Sequence, residues 1–249
     1  MVAEITAEYV DHCGTDLSVC DAARVSYSKK SEPVGYSGVD GKPLLPILHD
    51  KDKRLIKYLA EHNHYSPFNH TFVTFRCHAP LFVIAQLQKH EYMPWNQESR
   101  RYIDDEPEFY MPKKWRGRPK NSKQGSDGFI EIGGSVPVGR AMYACRDAYN
   151  GLLKAGVAPE MARMVLPQNM MARWIWSGTV KAIAKMVDLR SASDSQYESQ
   201  LLANQISDIV RGLFPVSWDA LVPRKEIIRP MDDEERQQAV YKSIQNQYI

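Results

Sequence analysis

The chain has 249 residues and a mass of 28.5 kDa, long for one domain and short for two. Hydrophobic residues make up 43% and charged ones 25%, which excludes wholesale disorder. The 32 basic and 30 acidic side chains leave a net charge of +2, so a protein that coats a polyanion by bulk charge is excluded and any nucleotide site must be local.

Cysteines stand at 13, 20, 77 and 145 with no Cys-x-x-Cys pair, which is not a disulfide framework. The opening residues MVAEITAEYV carry two acids and lack the basic-then-apolar form of a signal peptide. The longest apolar run, Ala79 to Ala85, falls far short of the ~20 residues that span a bilayer. A soluble protein of a reducing compartment, the cytoplasm, is expected, with no membrane partner.

Residues 3–10 fit a short strand ahead of Asp11–Asp21, and the Gly-, Ser- and Pro-containing stretch 26–42 reads as loop. Leu55, Ile56, Tyr58 and Leu59 recur at helical spacing, so 51–63 is predicted to be an amphipathic helix. The β-branched and aromatic run 70–77 predicts a strand, and Pro80 then opens a buried helix over 81–89 that ends near His90. A second strand is expected at 107–111. Residues 112–136 are Lys-, Gly- and Ser-rich and predict a long basic surface loop.

A helix over 138–155 should stop at Gly156, a usual C-terminal cap. Shorter helices are expected from Pro159 and near Thr179, and a longer one from Asp194 to Leu213. The chain shows no solenoid repeat. The fold class is α+β: one mixed domain over 1–230 with a central sheet and a helix-rich second half, then a charged tail over 231–249.

Five histidines fall between 62 and 90, but no metal-ligand spacing accompanies them, so no metal is expected. Cys77 beside His78 could form an activated thiol, although neighbours on a strand face opposite ways. Arg116-Gly117-Arg118-Pro119 lies among six basic residues between 113 and 123 and resembles an AT-hook, which makes A·T-rich DNA a competing partner. The strongest signal runs from Gln86 to Tyr102. An apolar helix there delivers Gln86, Lys89 and His90 to a loop packed with Asn, Gln, Ser and two Arg. Arg and Ser are natural phosphate partners, and Asn and Gln can read a base edge. A nucleotide site is favoured.

This block resembles the signature of the flavin-dependent thymidylate synthases, the ThyX family: Arg-His-Arg, then Ser, Asn, Glu, Ser and Arg-Tyr at fixed intervals. His90, Asn96, Ser99, Arg101 and Tyr102 match it. His64-Tyr-Ser-Pro-Phe-Asn-His70, Ala79-Pro-Leu-Phe-Val83, Ala23-Arg24-Val25-Ser26, Ala162-Arg163-Met-Val-Leu-Pro167, Leu189-Arg190 and Gln196 resemble other family segments in the same order, from about residue 20 to 220.

The resemblance implies a homotetramer that methylates dUMP at carbon 5. FAD carries the hydride, methylenetetrahydrofolate supplies the carbon and NADPH supplies the electrons. It implies Arg190 as the catalytic cation at the base, and Ser99, Arg101 and Arg163 at the phosphate. Gln86, Lys89, Gln97 and Glu98 complete the nucleotide set. Ser66, Lys89, His90, Glu91, Gln97, Thr179, Lys181 and Lys185 occupy flavin-contact positions.

Several positions depart from the family pattern. Arg-His-Arg is Lys89-His90-Glu91, its Glu is Gln97 and its first Ser is Pro94. Flavin-contacting Asn and Arg are Thr179 and Lys181, and another Asn is Lys185. Lys89 keeps charge without the planar fork, and Glu91 reverses the sign. Because these changes cluster on the flavin and folate side, a folate-dependent hydroxymethylase acting on dUMP or dCMP is the first competing expectation. DNA binding by the 113–123 loop is the second.

Overall fold

The computed structural model describes residues 2–38, 44–120, 124–132 and 136–222; the expected tail over 231–249 lies outside the described residues. In chain order it contains β1 (Thr6–Cys13), α1 (Asp16–Arg24), β2 (Gly35–Ser37), β3 (Leu45–Ile47), α2 (Asp50–Glu61), β4 (Phe72–Pro80), α3 (Leu81–Leu87) and β5 (Trp95–Gln97). There follow β6 (Trp115–Gly117), β7 (Asp127–Ile130), α4 (Val138–Lys154), α5 (Pro159–Ala162), β8 (Met171–Thr179), α6 (Val180–Arg190), α7 (Tyr197–Leu213) and α8 (Pro215–Leu221). The architecture is α+β. A four-stranded antiparallel sheet of order β1-β4-β8-β5 carries the helices.

The centre of the sheet is a nine-residue ladder in which Phe72 faces Thr179 and Pro80 faces Met171. Alternation fixes its register: Val73, Phe75, Cys77 and Ala79 of β4 and Trp174 and Trp176 of β8 point inward, while Arg76 and Arg173 point out. The two tryptophans are at most 2% exposed, and each buries roughly 150–250 Å². Beneath them lie Val180, Ile183 and Val187 of α6 and Leu202, Ile206 and Val210 of α7. Gly178 sits where any side chain would press on Met93, whose Cγ lies 3.1 Å from the place a Cβ would take.

Both central strands run straight into a helix, β4 into α3 and β8 into α6. Pro80 ends the first ladder and leads into α3. Thr179 caps α6, its hydroxyl accepting the Ala182 N–H at 3.2 Å. A second core of Val19, Cys20, Ile56, Leu59 and Phe68 joins α1 and α2. It is tied to the far end of the chain by Asp16, whose carboxylate accepts the N–H groups of Val216 and Ser217, both at 2.9 Å, at the start of α8.

Several expectations shift. The first strand starts later than 3–10 and runs through Cys13, and the strand placed at 70–77 is Phe72–Pro80. At 107–111 only Phe109 pairs, bridging Val2 and Met170. The loop over 26–42 contains β2, which pairs with β3. Within the stretch expected as a long loop, 112–136, the described residues include β6 and β7, which pair antiparallel. The last long helix starts at Tyr197 rather than Asp194, because Ala192–Ser195 form a turn and Gln196 is extended as the residue before the helix.

Candidate active site

The end of α3 and the end of α6 meet at one point. Arg190, the last residue of α6, donates from Nε to His90 Nε2 at 2.9 Å and from Nη2 to the Gln86 carbonyl, also at 2.9 Å. A guanidinium has five N–H donors and no acceptor, so three remain without a partner among the described residues. His90 is held well below the ordinary imidazole value, at about 4, by burial first and then by the neighbouring Arg190 and Lys185 charges. It is therefore neutral at pH 7, and because Nε2 accepts from Arg190 its proton sits on Nδ1. Burial also lowers the Arg190 pKa, as expected for a cation partly removed from water.

Gln86 shares this point. Its amide nitrogen donates to Gln196 Oε1, and its amide oxygen accepts from the Ser199 hydroxyl at 3.2 Å. Gln86 and Arg190, expected at the nucleotide, and His90, expected at the flavin, thus form one hydrogen-bonded cluster with Gln196 and Ser199 at the start of α7.

The phosphate-side candidates form a second cluster. Arg101 Nε lies 3.6 Å from a Glu160 carboxylate oxygen, and Arg163 Nε donates to the Glu160 carbonyl at 3.3 Å. Ser99 opens the turn that carries Arg101, its Oγ accepting the Arg101 N–H at 3.3 Å. The Arg101–Glu160 pair is half exposed and hence weakly held, so an incoming dianion can take its place. Arg100, by contrast, is 7% exposed and holds the Asp105 carboxylate at 2.7 Å, which makes it structural.

Other candidates sit apart. Glu98 turns to the sheet, its backbone N–H donating to the Arg173 carbonyl at 3.0 Å and its carboxylate 3.8 Å from Arg173 Nη1. The Gln97 amide oxygen accepts from Gln88 and from the Trp95 indole, both at 3.3 Å. Lys89 and Glu91 flank His90 and are exposed.

Three of the flavin-side candidates, Ser66, Thr179 and Lys181, lie where the turn Ser66–His70 packs on the start of α6. Thr179 donates to Asn69 Oδ1 at 2.9 Å, and the Lys181 ammonium stands 3.4 Å from the centre of the Tyr65 ring. The exposed Ser66 hydroxyl, the Lys181 ammonium and the N-terminal end of an eleven-residue helix together suit the phosphates of a dinucleotide. These residues fit a flavin cofactor, although a point charge at Lys181 replaces a planar fork.

Cys77 is buried, and burial pushes its thiol up, the opposite of what a nucleophile needs. Among the described residues no group of three His, Cys, Asp or Glu could hold a metal ion, and no helix is long and apolar enough to cross a membrane. Arg116 is not free to enter a DNA groove. Its Nη2 grips Glu198 at 2.6 and 2.8 Å, and its guanidinium lies 4.7 Å from the Tyr197 ring.

The family described as Thymidylate synthase complementing protein matches residues 8–216. The chain belongs to the flavin-dependent thymidylate synthase family. Its relatives include the flavin-dependent thymidylate synthase of Kosmotoga olearia, 34% identical over 217 residues that cover 86% of this chain and 88% of that one. An enzyme of the same name from Thermus thermophilus is 34% identical over 212 residues, covering 85% and 73% of the two chains. Among solved structures, the UMP/dUMP methylase PolB from Streptomyces cacaoi, bound with 5-Br dUMP, superposes with a TM-score of 0.73 at 30% identity over 88% of this chain and 94% of that one.

Sequence reading missed Glu160, Gln196 and Glu198 as parts of the site. Glu198 carried a signal: it stands on the same stripe of α7 as Leu202, Ile206 and Leu213, an acid where the period demands an apolar residue.

Proposed function

We propose that this chain is a flavin-dependent thymidylate synthase, a methyltransferase that converts dUMP to dTMP. FAD is its flavin, methylenetetrahydrofolate its carbon donor and NADPH its reductant. It works as a cytoplasmic homotetramer whose catalytic unit spans residues 1–230. One observation carries the reading: Arg190 is fixed through two of its donors by a neutral imidazole and a backbone carbonyl, with the rest unspent among the described residues.

Carbon 5 of uracil is a poor nucleophile. A cation held near N3 and O4 stabilises the negative charge that builds there as carbon 5 attacks, and a fixed guanidinium does so without reorganising. Neutral His90 contributes by orienting that guanidinium without adding a competing positive charge. Arg101, Arg163 and Ser99 are suited to hold the 5′-phosphate, and Gln86 to contact the nucleotide. Ser66, Thr179, Lys181, Lys185 and His90 would hold the flavin, with Lys89, Glu91 and Gln97 at its margin, and Lys89, Gln97 and Glu98 would complete the nucleotide set. When bound and reduced, the flavin supplies hydride. The 5-Br dUMP held by the structurally similar methylase supports a uridylate as substrate.

Two variants test the assignment. Arg101→Ala should weaken dUMP binding by about tenfold or more, since hydrogen bonds to charged groups contribute ~1.5–3 kcal/mol. Arg190→Ala should abolish turnover and leave the dissociation constant for dUMP nearly unchanged. Calorimetric titration and a turnover assay read both. Unaltered affinity in the first variant, or normal turnover in the second, refutes the roles.

A further inference from the structure

We propose that Glu198, locked in place by Arg116 of the basic hairpin, is a positioning residue that dictates which end of the Gln86 amide faces the nucleotide. This rests on the reading of Gln86 as a nucleotide contact and adds the residues that control it.

Glu198 is 2% exposed in the first turn of α7, in the wall of a cavity of about 420 Å³ between α4 and the hairpin β6–β7. Its carboxylate accepts from Arg116 at 2.6 and 2.8 Å, from the Tyr110 hydroxyl at 3.1 Å and from Gln196 Nε2 at 3.2 Å. Burial and this carboxylate push the Tyr110 phenol up, which keeps its hydroxyl a donor.

A carboxylate only accepts, so Gln196 must turn its nitrogen toward Glu198 and its oxygen away. That oxygen accepts a hydrogen bond from Gln86 Nε2. The second hydrogen on the same nitrogen points to the Phe82 carbonyl at 3.4 Å, and the Ser199 hydroxyl fills one lone pair of Gln86 Oε1. Both Gln86 donors are therefore spent within the protein. Among the described residues, one lone pair of Oε1 remains, so Gln86 can accept from a nucleotide but cannot donate to it.

An amide is ambidextrous, and turning it end for end exchanges donor for acceptor at no cost in shape. The buried charge removes that freedom along the whole chain Glu198–Gln196–Gln86. The hairpin that reads as a DNA-binding loop thereby acquires a different task, since Arg116 neutralises the charge on which the polarity depends.

The test compares Glu198→Gln, Gln196→Leu and the double variant Glu198→Gln/Gln196→Glu in the full chain loaded with FAD. An amide at 198 can offer an N–H to residue 196 and let the chain reverse. Glu198→Gln should therefore lower kcat/KM for dUMP by about tenfold, mainly through KM, the size expected for one mismatched hydrogen bond. Gln196→Leu cuts the relay while leaving the Arg116–Glu198 pair in place, and should show the same loss with an unchanged melting temperature. It also carries the test if Glu198→Gln does not fold.

In the double variant a carboxylate at 196 accepts from both neighbours, so Gln86 is held as before and kcat/KM should recover to near the parent value. A merely structural ion pair predicts no such rescue. Independently of substrate, glutamine-selective ¹⁵N labelling should show Gln86 side-chain protons that exchange slowly in the parent and fast in Gln196→Leu. Unchanged exchange together with unchanged kcat/KM in Gln196→Leu, or a double variant no better than Glu198→Gln, overturns the proposal. If protection is lost as expected but the parent fails to turn over dUMP, the relay stands as structure and the proposal falls at its premise, the nucleotide role of Gln86.

Discussion

At His90 a single proton decides whether Arg190 is aimed or loose. The folded protein holds this imidazole at about 4, below its ordinary 6.5, so the unfolded chain binds a proton in that window that the native state refuses. The contribution to stability is present in full above pH 6.5, is lost as pH falls toward 4, and changes no further below that. Protonation would also remove the acceptor for Arg190 Nε and set imidazolium against guanidinium. An NMR titration should therefore find His90 titrating near pH 4 in the parent and closer to 6.5 in Arg190→Ala, which removes a neighbouring charge. Titration near 6.5 in both proteins would contradict the geometry. The same scale separates Arg100 from Arg101: adjacent and identical in sequence, one is consumed by Asp105 and the other stays half exposed beside Glu160. Only the fold could distinguish them, because burial is a property of the turn rather than of the residue type.

The element that matters most is β8, since it sets both the centre of the sheet and the start of α6. Trp174 stacks on Trp95 with ring centres 4.5 Å apart, so it fastens β5, and with it the loop that leads to Ser99 and Arg101. Trp174→Ala should cost ~3–5 kcal/mol in denaturant unfolding, whereas truncating the exposed Tyr36 of β2 should stay within about 0.5 kcal/mol. Equal effects would mean that the indole is not a core element. Local period made α2, β4 and α4 legible, and Gly156 does cap α4, with a backbone φ of +82° that favours glycine. The strand β8 was not legible as one, although Trp-Ile-Trp favours it, because its partners lie about a hundred residues away and flanking helical patterns dominate locally. The three-residue β5 reads as part of a polar loop for the same reason. Its ladder is supplied entirely by β8.

Across the whole molecule, long-range ties bring the chemistry together. Gln205 of α7 holds both the Ala7 N–H at 2.8 Å and the Ile5 carbonyl at 3.0 Å, and Asp16 clamps α8, so both ends of the described chain close on one body. Within it, Arg190 meets residues a hundred positions earlier, and Glu198 meets Arg116 from the hairpin. The signature from Gln86 to Tyr102 was legible because its chemistry is local in sequence. The controlling residues Glu160, Gln196 and Glu198 were not, because each acts only on a partner brought by the fold. Of the departures from the family pattern, Lys89 and Glu91 stand exposed beside His90, and Gln97 accepts from Gln88 and Trp95. If Glu91 serves only as an exposed neighbour of His90, Glu91→Arg should leave flavin affinity unchanged in a fluorescence titration, and a large gain would show that it weakens the cofactor site.

The product of the reaction tests the central claim most directly. The purified chain, given FAD, NADPH, methylenetetrahydrofolate and an equal mixture of dUMP and dCMP, should yield by mass spectrometry one new nucleotide, thymidylate, at the expense of dUMP alone. A hydroxymethylated nucleotide, a gain of mass on dCMP, or no new mass at all would contradict the assignment of this chain as a thymidylate synthase.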